Sequence, residues 1–378
     1  MPSPAPSGAP SALRVDGARL LRRLDELGEI GGITGSHGER GSARLALTDE
    51  DRAGRDLVLT WMRDLGLVVH IDAIGNVIGV RPGADGSTER PVMTGSHIDT
   101  VRTGGRLDGN LGALAGLEVI ERLAETGTAT QRPIAVGFFT NEEGARFSPD
   151  MMGSLVYCGG LSAEEAYDVV GIDGARVGDE LERIGYRGAT PCPGEAPHAF
   201  VELHIEQGPV LEAEGVRIGA VTGVQGISWQ ELTITGESNH AGTTPMSLRH
   251  DAAYVAAEIA TFARRLALQL GPPQVATVGQ LDLHPNLVNV VAARATLTID
   301  LRNTDNAVLQ EAERRLAEQL DALAEAEGVT ITKRSLARFE VGRVSVLGRV
   351  VADAFHARRE DHRGWTQPRH HLGVVPRA

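Results

Sequence analysis

Residues 92–112 read VMTGSHIDTVRTGGRLDGNLG: a short apolar run, then a histidine and two aspartates set among glycines, then the start of an alanine- and leucine-rich segment. The run at 91–94 has strand composition. From about 111 to 125 the apolar residues return at helical spacing, and a second buried-looking strand follows at 134–140. Strand, helix, strand is the repeating unit of a parallel α/β sheet. The polar residues between them therefore fall at the carboxyl end of a strand, where open α/β sheets bind their ligands.

Upstream, 48–65 begins with acidic residues and then places Leu57, Trp61 and Leu65 on one helical face; 67–71 and 76–80 read as a hairpin-like strand pair, followed by a Pro/Gly turn at 82–86. Downstream the pattern changes to strand (228–235), long helix (246–270), two strands (274–283 and 293–301), long helix (305–326) and strand (329–332). That order predicts an α+β layer with helices on one face of an antiparallel sheet. A chain of 378 residues exceeds what one hydrophobic core usually supports, so two domains are expected. Residues 13–215 form the first part of one domain, 216–334 a second domain inserted into it, and 335–378 the return.

Composition narrows the function classes. Hydrophobic content is 42%, and no apolar run approaches the length of a membrane span. Residues 1–12 are Pro, Ser, Ala and Gly without a basic leader or apolar block, which predicts a flexible tail rather than a signal peptide. Cys158 and Cys192 form no CxxC pair, which fits a reducing cytoplasm and argues against a thiolate metal site. The net charge is -13 and aromatic content 4%, with Lys333 the only lysine and no basic stripe, so nucleic acid is not an expected partner. The sequence also has no Gly-x-Ser-x-Gly elbow, no His-Glu-x-x-His helix and no P-loop.

Three polar clusters remain. In the first, His97 and Asp99 are two apart at a strand end, so Asp99 is placed to accept the second imidazole N–H of His97, and Asp108 lies in a glycine-rich turn open to close backbone approach. The second is Asn141-Glu142-Glu143-Gly at the end of an apolar strand, where one carboxylate can hold a metal while its neighbour takes a proton from the attacking water. The third is Glu202-Leu-His204-Ile-Glu206-Gln207-Gly, in which alternation puts His204 and Glu206 on one face. Singly, a His-x-Asp is usually an ordinary hydrogen bond and a Glu-Glu a solvated pair. Together, at strand ends and each beside glycine, they point to a metal centre of nitrogen and oxygen ligands suited to Zn, Mn or Co. His37, His70, His198, His250 and His284 read as structural or surface residues.

Gly-Ser-His-Ile-Asp-Thr-Val, Gly-Gly-Arg-Leu-Asp-Gly-Asn-Leu-Gly, Thr-Asn-Glu-Glu-Gly-Ala-Arg-Phe, Leu-His-Ile-Glu-Gln-Gly-Pro-Val-Leu-Glu and Ser-Asn-His-Ala-Gly-Thr-Thr-Pro-Met resemble the motifs of the M20 metallopeptidase-like amidohydrolases. The likeness is to the branch of N-carbamoyl-L-amino-acid hydrolase, beta-ureidopropionase and allantoate amidohydrolase, over residues 20 to 339. It implies a zinc-exopeptidase-like α/β catalytic domain with a mixed sheet and an inserted ferredoxin-like α+β domain that serves as lid and homodimer interface. It implies two divalent ions, one on His97, Asp108 and His204, with Asp108 bridging to a second on Glu143, and Glu142 as general base. Contacts to a small carboxylate substrate fall to Gln207, His240, Asn289 and Arg302. Arg302 would hold the carboxylate bidentately, and His240 would donate to the oxyanion formed as water attacks the ureido carbonyl.

After Phe339 the likeness stops. The family's Ser-Gly-Ala-Gly-His-Asp stretch and its late histidine have no counterpart in 340–378, which instead carry His370 and His371. The second metal site is accordingly expected to be weakened. The activity implied is hydrolysis of an N-carbamoyl amino acid; allantoate or ureidoglycolate hydrolysis is the alternative within the class, and a non-catalytic remnant the alternative outside it.

Overall fold

The computed structural model describes residues 13–87, 89–221, 223–343 and 372–373. The chain divides into two compact units, the first running to Val221 and the second spanning Thr222–Val344. The first opens with α1 (Gly17–Glu29), a small hairpin of β1 (Gly32–Thr34) and β2 (Arg40–Ser42), and α2 (Asp49–Asp64). Thr48 starts α2 where its side chain accepts from Asp51 N, and Asp49, Glu50 and Asp51 set negative charge against the positive end of the helix. There follow β3 (Val68–Ile71), β4 (Val77–Arg81), β5 (Val92–His97), α3 (Asn110–Glu125) and β6 (Ile134–Phe139). Short helices α4 (Met152–Cys158), α5 (Ala163–Tyr167) and α6 (Val177–Ile184) lead to β7 (Ala199–Leu203) and the single turn α7 (Val210–Ala213).

The sheet is mixed: β5 runs parallel to both β6 and β7, whereas β4 is antiparallel to β6 and to β3. Leu114, Leu117 and Ile120 of α3 are fully buried with Val136 and Phe138 of β6 and Leu27 of α1 in one core. At roughly 1.5–3 kcal/mol for each large apolar side chain removed from water, this layer holds α3 on the sheet and so fixes where the ends of β5 and β6 lie.

The second unit contains β8 (Gly223–Val224), β9 (Gly226–Thr235), α8 (Ala252–Leu270), β10 (Val275–His284), β11 (Arg294–Asn303), α9 (Asn306–Glu327), β12 (Thr330–Phe339) and β13 (Gly342–Arg343). Its antiparallel sheet has the order β10-β11-β9-β12, the βαββαβ arrangement of a ferredoxin-like layer. Alternate residues of β9 and β11, among them Leu232, Ile234, Leu297, Ile299 and Leu301, are buried with Val255 and Ile259 of α8 and Leu309 and Leu316 of α9. Farther along, β14 (Leu372–Gly373) pairs antiparallel with β7.

Two sequence boundaries move. The first long helix starts at Ala252 rather than 246, because Asp251 accepts from Ala253 N and Tyr254 N and the preceding Met246–Leu248 forms a separate 3-10 turn after Pro245. The last strand continues to Phe339 rather than 332, and Gly342–Arg343 pairs back onto Gly223–Val224, so the second unit occupies Thr222–Val344 where 216–334 was expected. The departure read in 340–378 lies almost wholly outside the described residues. Among the described residues no helix is long and apolar enough to cross a membrane.

Candidate metal centre

Three strand ends create the site. His97, the last residue of β5, pairs in register with Phe139 of β6, and Thr94 of β5 pairs with Val201 of β7. Because the three strands are parallel, residues 97–100, 140–143 and 204–207 leave the sheet at the same edge.

His97 is 2% exposed. Its Nδ1 lies 2.9 Å from the carbonyl oxygen of Asp99, and His204 Nδ1 lies 2.8 Å from that of Ile205, so each neutral ring donates there and keeps its lone pair on Nε2. Both Nε2 atoms face Asp108 Oδ1, at 4.0 Å from His97 and 3.2 Å from His204. The three residues offer ligand atoms within 4.8 Å of one another. Asp108 Oδ2 accepts from Gln207 Nε2 at 2.5 Å, whereas the buried Oδ1 has no hydrogen-bond partner among the described residues. A buried acceptor left without a donor is unfavourable, and this one sits between two imidazole nitrogens. A divalent cation satisfies all three at once, so the residues fit the metal that the sequence implied.

The charges agree. Burial opposes protonation of His97, yet the carboxylates of Glu142, Asp99 and Glu143 outweigh it and raise its pKa to about 9, so the site is strongly negative. Glu142 Oε2 is 3.3 Å from His97 Nε2, and burial, partly offset by His97, pushes its pKa up. Burial also raises Glu143, to about 7, again opposed by His97. Glu143 stands beside the three-ligand group without being part of it. Both acids sit on a turn held by Asn141, whose backbone has φ 53° and whose side chain donates to Phe147 O at 2.8 Å and Pro149 O at 3.1 Å.

Two sequence expectations are corrected. The carboxylate of Asp99 does not receive the His97 N–H; its backbone carbonyl does, while Oδ1 and Oδ2 accept from Glu142 N and Glu143 N at 3.2 Å each. The reason is that β5 stops at His97, so side-chain alternation no longer applies and Asp99 turns toward the 141–143 segment. Likewise β7 stops at Leu203, and Glu206 does not share a face with His204 but accepts from Leu211 N at 3.0 Å above α7.

The remaining candidates lie in the second unit. His240 and Asn289 come from neighbouring segments: Ala241 N donates to Asn289 O at 3.0 Å, Val291 N donates to Asn239 O at 2.8 Å, and His240 Nδ1 accepts from Gly242 N at 3.1 Å. Arg302 on β11 is already engaged, with Nε 3.0 Å from Asp300 Oδ2 and the guanidinium 5.5 Å from the Trp229 ring centre. Substrate carboxylate would have to compete with Asp300. Glu202, quoted in the third cluster without a role, is a part-buried carboxyl raised by burial that accepts from Ser96 Oγ, a contact that only the β5–β7 pairing creates.

The family model for peptidase family M20/M25/M40 matches residues 93–342. The N-carbamoyl-L-amino acid amidohydrolase of Geobacillus stearothermophilus is 41% identical over 328 residues, 85% of this chain and 78% of that protein. The allantoate amidohydrolase of Escherichia coli is 37% identical over 287 residues, 75% of this chain and 70% of that protein. A hydantoinase/carbamoylase family amidase from Burkholderia ambifaria superposes with a TM-score of 0.81 at 40% identity, covering 96% of this chain and 92% of that chain.

Proposed function

The chain belongs to peptidase family M20/M25/M40, and we propose that it is a metal-dependent amidohydrolase that cleaves the ureido C–N bond of an N-carbamoyl amino acid, with water, to amino acid, ammonia and carbon dioxide. The observation that carries this reading is the convergence of His97 and His204 on the unpartnered oxygen of Asp108, with Glu142 beside His97. A divalent ion bound there supplies Lewis acidity, polarising a carbonyl and lowering the pKa of water toward about 7. Glu142, whose pKa burial raises, takes the proton of the attacking water and returns one to the leaving nitrogen. Gln207 holds Asp108 through Oδ2 and leaves Oδ1 for the ion. In the second unit, Arg302 over Trp229 is the group that the family resemblance implies for a substrate carboxylate, which would replace Asp300, and His240 the one it implies as donor to the developing oxyanion. Zn, Mn and Co all suit this donor set. A second ion has Asp108 and Glu143 available.

Allantoate is the second substrate class, favoured by the relative named for it. Ammonia release from Mn- or Zn-loaded protein, measured across N-carbamoyl-L-amino acids, allantoate and ureidoglycolate, should show the highest kcat/KM for an N-carbamoyl amino acid. Preference for allantoate by tenfold or more would move the assignment to purine breakdown, and no ammonia from any of them with metal bound would favour a non-catalytic protein.

The metal reading also predicts a pH dependence. Folding raises the pKa of His97 from 6.5 to about 9, so its contribution to metal-free stability is complete below 6.5 and is lost as pH rises through 9. Glu143, raised from 4.5 to about 7, acts in the same direction between those values. Metal displaces the His97 proton, so affinity must rise over the interval in which metal-free stability falls. The increase in Tm on adding Zn or Mn should therefore grow between pH 6 and pH 9. A shift that is constant across this range would place the ion away from His97.

A further inference from the structure

Arg44 is fully buried, and among the described residues no carboxylate forms an ion pair with it. Its guanidinium is spent on acceptors from three separate segments. Nε donates to Ile98 O at 2.8 Å, one terminal nitrogen donates to Leu27 O at 2.9 Å and Ile30 O at 2.8 Å, and the other donates to Asn110 Oδ1 at 2.9 Å. The backbone joins in, with Arg44 N donating to Thr100 Oγ1 at 2.8 Å and Thr100 N to Arg44 O at 2.9 Å.

Two of the three segments bear on the metal ligands, and the third is the anchor. Ile98 lies between His97 and Asp99. Asn110 N donates to Asp108 O at 2.6 Å, closing the turn that presents Asp108. Leu27 and Ile30 present carbonyls at the C-terminal end of α1, that of Leu27 also accepting from Ile30 N at 3.2 Å, and a cation there complements the helix dipole. Space is reserved for the side chain: a Cβ on Gly54, in the middle of α2, would come within 2.9 Å of Arg44 Cδ. Asp51 and Asp99 act on the guanidinium only at longer range, so its burial is costly, and an apolar residue would fill the same volume more favourably. What an apolar residue lacks is the planar fork that reaches three segments together.

We propose that Arg44 is a positioning residue of the metal centre, tying the His97 segment and the Asp108 turn to the end of α1 and thereby setting the separation of these two ligands. The inference rests on the metal reading above.

Its test compares Arg44→Lys with Arg19→Lys. Lysine at 44 keeps the charge but cannot span three segments. Arg19 links α1 to Glu118 of α3 through two contacts of 2.7 Å and touches neither ligand segment. Metal-free Tm, the Zn²⁺ Kd from chelator competition, and the visible spectrum of the Co²⁺-loaded protein are measured for each. Arg44→Lys should raise the Kd by roughly 10- to 100-fold, as loss of an outer-shell partner does, and should alter the Co²⁺ bands. Arg19→Lys should lower Tm while leaving the Kd within about threefold of the parent. A Kd for Arg44→Lys within about threefold, or raised no more than by Arg19→Lys at equal loss of Tm, overturns the proposal. A parent chain that takes up no Zn²⁺ overturns the metal reading with it. If Arg44→Lys does not fold, Asn110→Ser severs the Asp108 arm alone, and the same limits on Kd decide.

Discussion

Glu142→Gln should lower kcat by roughly 10²- to 10⁴-fold while the chain still binds metal, because the amide preserves the shape of the side chain but cannot accept a proton. The three ligand atoms of His97, Asp108 and His204 do not involve Glu142, whose carboxylate lies 3.3 Å from His97 Nε2. Removing its charge also removes the first of the carboxylates that hold His97 protonated, after the opposing effect of burial. The His97 pKa should therefore fall, and metal affinity at neutral pH should hold or improve. Steady-state ammonia release together with metal content per chain tests both halves. Turnover within a few-fold of the parent would remove Glu142 from the role of general base, and loss of metal alongside activity would make it a ligand instead.

Gly109→Ala should abolish metal binding and activity together. Gly109 has φ 64° and ψ -47°, and Asn110 N bonds to Asp108 O across it at 2.6 Å, which makes it the centre of a γ-turn of positive φ, a rare and strained conformation for any residue with a Cβ. That conformation alone costs about 1–3 kcal/mol for a substituted residue. The added methyl group would also overlap the ring atoms of His97, which is buried and has little room to retreat. Gly66 separates the two effects, since it has φ 69° but open space where a Cβ would go. Gly66→Ala should lose stability and keep its metal. Gly109→Ala should lose stability and also raise the metal Kd by more than about 100-fold, beyond the usual effect of an outer-shell change. Equal metal affinity in the two variants would mean that His97 is not held against this turn.

Much of the scaffold is legible along the chain because it depends on local periodicity. The apolar spacing of α3 and α9 and the alternation in β9 and β11 report burial on one face of a helix or strand, and the βαββαβ order of the second unit follows from them. The identities of His97, Asp108, Glu142, Glu143 and His204 are legible too. Polar residues at the ends of apolar strands, beside glycine, are costly in a packed sheet unless they carry chemistry. Helix starts were less visible: Asp251 caps α8 five residues past Met246, although the segment between has helical composition.

What only the tertiary structure decided is which atom of each residue does the work. Asp99 serves His97 through its carbonyl and the 141–143 turn through its carboxylate, because β5 ends before Asp99 and the direction of a side chain beyond a strand end is not periodic. Arg302 pairs with Asp300 two residues before it on β11, but the Trp229 ring under its guanidinium comes from β9 and is set by strand register. Arg44 gave no signal and Gly109 only its place in a glycine-rich turn, because their importance lies in bonds and contacts to residues distant in the chain: Arg44 reaches Asn110 across 66 positions, and Gly109 lies against a histidine on another element. Such contacts exist only once helix and sheet have packed, since a side chain's reach is a few ångströms and its neighbours at that range are chosen by the fold, not by the order of residues.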